Sequence, residues 1–162
     1  MEPNMQTEND GRNDLNFFIG NWTVKHRKLK ELLKNCAEWD EFESTVVDRA
    51  IMGGIGNLEE MIFERTAGRF YGTSLSIFNP KTKQWSQYWV DSANATLQDP
   101  MIGKFTDGVG EFFSEDEFEG RTVLARARWY DIEENSCKWE QSLSDDGGQT
   151  WETNWVMEFI RA

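Results

Sequence analysis

Gly20-Asn21-Trp22-Thr23-Val24-Lys25-His26 opens the regular part of the chain, and Phe159-Ile160-Arg161-Ala162 closes it. In the opening stretch Trp22, Val24 and His26 share one face, while Thr23, Lys25 and Arg27 share the other, the two-residue period of a strand. A Gly-x-Trp at the start and an Arg at the finish are what a β-barrel needs to shut one end. The terminal strands pair antiparallel there, and the guanidinium lies across the indole face as a cation–π lid. A closed barrel with one plugged end is a cup, and cups hold small molecules.

Between these ends, short alternating segments are separated by turn signals. Gly53-Gly54-Ile55-Gly56-Asn57, Ala67-Gly68, Asn79-Pro80-Lys81-Thr82-Lys83, Asp107-Gly108 and Glu119-Gly120 each join two such segments. Ten antiparallel strands in up-and-down order are expected, and closure removes their exposed edges. Residues 1–12 read as a disordered leader and 13–162 as a single barrel domain. Asp14 to Phe18 reads as one helical turn plugging the floor, with Asp14 or Asn13 as its cap. Lys30 to Glu38 is open to either a short helix or a long loop.

The composition narrows the partners. The 162 residues carry 29 acidic against 17 basic side chains, a net charge of −12 that repels nucleic acid and anionic membranes. No apolar run approaches the roughly 20 residues of a membrane-spanning helix. The polar start of the chain is no signal peptide, so a cytoplasmic protein is expected. Cys36 and Cys137 lack metal-ligand spacing and read as reduced thiols, although a bridge stays open. With one histidine, a multi-histidine metal site is excluded, and no metal or cofactor is expected.

Eight tryptophans dominate the apolar inventory. Trp89, Trp129, Trp139 and Trp155 either fill a core or line a cavity and stack on a planar ligand. On the last strand Trp151, Thr153, Trp155, Met157 and Phe159 form the apolar face, with Glu152, Asn154 and Glu158 opposite; a β-bulge would exchange the two. His26 is open to two readings, a satisfied core residue or a polar anchor and proton carrier in the cavity. Gln141 lies between Trp139 and Leu143 on an apolar face, and a buried amide needs partners. Arg126 either points outward or supplies positive charge to an acidic ligand, because neither face of the eighth strand is clearly the inner one.

Two stretches resemble known patterns. Ser144-Asp145-Asp146-Gly147-Gly148-Gln149-Thr150-Trp151 resembles the Asp-box of sialidases, a structural hairpin, and is expected to join the last two strands. Phe18 to Val24, Gly53 to Asn57, Phe78-Asn79-Pro80 with Trp85 and Tyr88-Trp89, and Ser144 to Trp155 together resemble a bacterial family, domain of unknown function 1579. That resemblance spans roughly residues 14–162 and implies a calycin-like (lipocalin-like) barrel related to the fatty-acid-binding and nitrobindin branches. It brings no activity. Nitrobindins carry a haem-ligating His near the C-terminus, whereas no His follows position 26 here. The helical lid of fatty-acid-binding proteins is also missing.

The leading expectation is a non-catalytic barrel that binds a small planar or apolar ligand among Trp89, Trp129, Trp139 and Trp155. His26, Gln141 and Arg126 would orient its polar end, and Trp22 with Arg161 would close the floor. One alternative is a cofactor-free isomerase, cyclase or decarboxylase using His26 as acid–base. Another is a protein-interaction module, and a homodimer through a barrel side is left open.

Overall fold

The computed structural model describes residues 10–162, so residues 1–9 of the expected leader lie outside the described residues. Ten strands follow in order: β1 (Gly20–Leu29), β2 (Trp39–Ile51), β3 (Gly56–Arg65), β4 (Gly68–Asn79) and β5 (Gln84–Asp91), then β6 (Met101–Thr106), β7 (Val109–Phe118), β8 (Arg121–Tyr130), β9 (Ser136–Ser144) and β10 (Glu152–Arg161). Each pairs antiparallel with its sequence neighbour, and β1 pairs with β10 to close the sheet. The expected ten-stranded up-and-down barrel is the fold of the chain.

Closure is made by the two stretches that open the sequence reading. Trp22 and Arg161 are cross-strand partners, so both side chains face the same side of the sheet. The guanidinium carbon sits 4.1 Å from the indole centroid. Arg161 also donates to three carbonyls, from Nη2 to Phe17 (2.9 Å), Nη1 to Ile19 (2.9 Å) and Nε to Glu134 (3.1 Å). Gly20 makes room for it: its φ is +131°, and a Cβ there would lie 2.6 Å from Arg161 Nη1.

The floor is a plug of aromatic rings around the short 3₁₀ turn Asn16–Phe18. Trp22 Nε1 donates to the Phe18 carbonyl at 2.8 Å, and Phe18 stacks on Trp22 with ring planes 18° apart. Phe18 also meets Trp129 (4.8 Å between centroids) and Phe159 (5.3 Å). Each buried ring removes roughly 150–250 Å² from water, a gross gain of about 4–6 kcal/mol. The plug begins earlier than the sequence suggests. Trp85 Nε1 donates to Gly11 at 3.0 Å and Arg12 pairs with Asp10 at 2.8 Å, so residues 10–12 belong to the barrel floor rather than a leader. Neither Asp14 nor Asn13 caps the turn; Leu15 occupies the cap position without a side-chain bond.

Lys30 to Glu38 contains no helix; the loop is pinned by Lys30 N donating to the Glu38 carbonyl at 3.1 Å. The Asp-box stretch is the β9–β10 hairpin. Thr150 Oγ1 donates to Asp146 Oδ2, and Asp146 Oδ1 accepts from the Thr150 amide, Ser144 Oγ and the Gln149 amide at 2.8–3.0 Å; these bonds, the Thr150 hydroxyl first, hold its carboxyl down at about 2.

One irregularity changes which residues face inward. The β9–β10 register slips between Thr153 and Trp155, leaving Asn154 as an inserted residue. Downstream the expected parity holds: Trp155, Met157 and Phe159 pair with Lys28, His26 and Val24 on the inner face. Upstream it is reversed. Trp151 and Thr153 face out, contrary to the sequence reading, while Glu152 and Asn154 face in. Glu152 accepts the Leu33 amide at 2.7 Å, and Asn154 is wholly buried. An extra residue in a strand with a two-residue side-chain period has this effect.

Candidate functional site

The end of the barrel opposite the plug is hollow. A cavity of about 350 Å³ runs between the sheet walls, within the size range of small-ligand pockets. Trp89, Trp129, Trp139 and Trp155 all line it, together with Gln141 and three methionines, Met61, Met101 and Met157. A second void of about 570 Å³ forms the open mouth above it, bordered by Phe42, Phe63, Arg65, Phe70 and Tyr71. Lys28, Trp89, Asp91 and Trp155 border both and so mark the throat.

The walls are built by strand alternation. On β8 Val123, Ala125, Ala127 and Trp129 are buried and face in, which resolves the ambiguity of that strand. Arg126 therefore lies on the outer surface. Its guanidinium stacks at 4.4 Å on Trp151, the residue the bulge turned outward, and it does not reach the cavity. Contrary to the cavity-facing reading, Arg126 is absent from the lining of either void. The small Ala127 leaves space beside Gln141, its cross-strand partner on β9.

Trp89 is seated by its neighbours. Its indole lies over Gly72 so closely that a Cβ there would be 2.2 Å from the ring. Trp89 Nε1 donates to Asp91 Oδ2 at 3.2 Å, and Asp91 Oδ1 in turn accepts the amides of Ala93 and Asn94. Trp139 and Trp155 meet edge to face at 5.7 Å.

His26 is inward and buried, but it borders neither void. Trp155 Nε1 donates to its Nδ1 at 3.0 Å, which leaves the ring proton on Nε2, facing Ser44 Oγ at 2.6 Å. The ring also stacks on Phe42 at 4.5 Å with 12° between planes. Protonating Nδ1 would aim two N–H groups at each other. Burial, with the charges of Arg65 and Lys28, holds the imidazolium form off until about pH 3. His26 orients Trp155 as a satisfied core residue, and it has no free nitrogen for acid–base work or for a ligand.

The polar groups that do reach the cavity are others. Glu59 on β3 borders it and is almost fully buried; burial, and then the nearby Asp48, push its carboxyl up to about 8. Glu59 is thus a neutral acid at pH 7 and can donate a hydrogen bond. Gln141 Nε2 donates to Asn154 Oδ1 at 3.1 Å. Two further lining residues keep buried donors without a protein acceptor, Trp129 Nε1 and Asn154 Nδ2. Among the described residues no group of three His, Cys, Asp or Glu side chains could hold a metal ion, and Cys36 and Cys137 are free thiols.

Sequence reasoning overlooked Glu59, Asn154 and Lys28. Lys28 continues the Trp22, Val24, His26 parity and was accessible on that rule. Glu59 was masked because β3 carries Leu58 and Ile62 on the face opposite Met61 and Phe63. Asn154 required knowledge of the bulge.

No protein-family model matches the chain, and no curated protein matches it. Among solved structures, an S-type phycobiliprotein lyase from Guillardia theta aligns with a TM-score of 0.62 at 9% identity, covering 91% of this chain and 90% of that one. This is a likeness of fold, the calycin-like barrel. No helix among the described residues is long and apolar enough to cross a membrane.

Proposed function

We propose that the protein is a barrel carrier that binds one small planar molecule in the 350 Å³ cavity, between the rings of Trp89, Trp129, Trp139 and Trp155. The observation that carries this reading is a void left open at one end of a barrel whose other end is tightly packed with rings. A core that needed only stability would be filled, because each unfilled space forfeits contact energy. The tryptophan faces favour a flat, polarisable ring system. Glu59, Gln141 and Asn154 supply polar contacts at one side.

Membership of the domain of unknown function 1579 family and a cytoplasmic setting belong to the same proposal. The first is supported by the barrel and by the motif residues that carry the resemblance, the second by the two free thiols. The lyase of similar fold shows that such a barrel can serve a protein concerned with phycobiliproteins; the shared architecture supports a small-molecule cargo here, without extending that activity to this chain. A reaction catalysed by His26 is not favoured, because both of its ring nitrogens are engaged.

The test is a titration of intrinsic tryptophan fluorescence with 2-naphthamide, a neutral planar probe. Saturable quenching at one site per chain is expected, weakened about tenfold in Trp139→Ala by loss of ring contact. Absence of saturable quenching by the wild-type protein would reject the carrier reading.

A further inference from the structure

Lys28 sits at the throat with its charge uncommitted. Its position on β1 faces inward, paired with Trp155, and its ammonium lies 4.3 Å above the Trp155 ring. It borders both the cavity and the mouth, yet among the described residues it makes no hydrogen bond or ion pair. The two carboxylates whose charges act on it are already engaged. Asp91 accepts from Trp89 Nε1 and from two backbone amides, and Asp40 pairs with Arg65. Arg65 itself stacks on Phe42 at 3.9 Å. Asp99 and Asp116 also border the cavity, but both are exposed to water, which screens them.

The unmet groups are all of one kind. Trp129 Nε1 and Asn154 Nδ2 are donors without acceptors, and Lys28 can only donate. Asn57 Oδ1, a buried acceptor without a donor, belongs to a residue outside the cavity wall. The unmatched buried groups of the wall are thus donors, and Lys28 is the cation that reaches the throat itself.

We infer that the occupant is a planar organic acid, its ring between the tryptophans and its carboxylate at the throat against the Lys28 ammonium. This deepens the carrier reading and rests on it. The half-buried setting matters, because an ammonium partly withdrawn from water gains more from an anion than an exposed one does. Burial and the Arg65 charge already lower the pKa of Lys28, and a bound carboxylate would restore it.

Three probes that share one ring system separate the possibilities: 2-naphthoate, 2-naphthamide and 2-naphthylmethylammonium. With wild-type protein at low salt, 2-naphthoate is expected to bind about 10- to 100-fold tighter than the amide, with the cation weakest. The advantage of the carboxylate should shrink as salt is raised. Lys28→Met should bring the carboxylate-to-amide affinity ratio down to about one, whatever the amide affinity of that variant, while Lys28→Arg should keep the preference. The wild-type ratio needs no variant, so a misfolded Lys28→Met would not blunt the test. Equal binding of carboxylate and amide, or preference for the cation, overturns the anion subsite and leaves the cavity standing. Failure of all three probes overturns both.

Discussion

Asp48 and Glu59 are direct cross-strand partners on β2 and β3, both buried inside the barrel, and among the described residues neither is paired with a cation. Asp48 accepts from Asn57 Nδ2 at 2.9 Å, a neutral donor that only partly offsets burial. Burial pushes Asp48 up from 3.8 to about 7 and Glu59 up from 4.5 to about 8. Two carboxyls in one interior cannot both ionise cheaply, so the barrel holds protons that its unfolded chain would release.

Stability should consequently fall as pH rises through this window. Between the unfolded values near 4 and the folded values near 7 and 8, the native state binds more protons than the unfolded state. The contribution is fully present below pH 4 and is lost as pH passes 8. His26 acts in the opposite sense: its pKa drops from 6.5 to about 3 on folding, so stability lost to it returns as pH rises from 3 to 6.5. Between pH 6.5 and 8 the two carboxyls dominate, because the shifted Cys137, Lys28 and Tyr130 act at higher pH. Thermal melts should show Tm declining from pH 6.5 to 8, with a shallower decline in Glu59→Gln. Parallel slopes for the two proteins would contradict the assignment.

The imidazole of His26 should not titrate between pH 5 and 8. Its Nδ1 is occupied by the Trp155 N–H and its Nε2 proton faces Ser44. Because the chain has one histidine, ring resonances in a nitrogen-correlated NMR spectrum need no assignment. The expected pattern is a neutral Nε2–H tautomer throughout that range. A midpoint near 6.5 would show that the ring is accessible after all.

Arg161→Ala should destabilise the barrel by about 2–4 kcal/mol, since it strips a cationic donor from three carbonyls and uncovers the Trp22 face. Arg161→Lys should recover less than half, because an ammonium cannot reproduce the planar fork. Urea unfolding followed by tryptophan fluorescence measures both. If Arg161→Ala unfolds at the wild-type midpoint, the terminal clasp contributes nothing to stability.

How far the sequence could be read depended on whether a residue's role followed from period two alone. The strands, their turns and the Trp22–Arg161 closure were legible because alternation and glycine-rich turns are local signals. Trp139, Trp155 and Gln141 were legible as one apolar face for the same reason, whereas Trp89 and Trp129 were singled out by their rings and not by a settled face. Arg126 was not legible: on β8 Leu124 and Tyr130 make the outer face as apolar as Val123 and Trp129 make the inner one. His26 was placed on the correct face, but its neutrality depends on Ser44 and Trp155, 18 and 129 residues away in the chain. Whether a space remains between opposing walls is a property of ten strands at once, and no single strand records it.

The supernumerary Asn154 makes selectivity hostage to chain length. Lose that one residue and everything before it in β10 rotates by half a pleat: Thr153 and the Trp151 indole would swing into the lumen, and the Glu152 carboxylate would be expelled. A stretch that now turns an acid and an amide inward would turn apolar without a single substitution. Related barrels that differ by one insertion here should therefore sort their cargo by polarity, and a deletion is a sharper instrument than a point mutation for re-tuning this one.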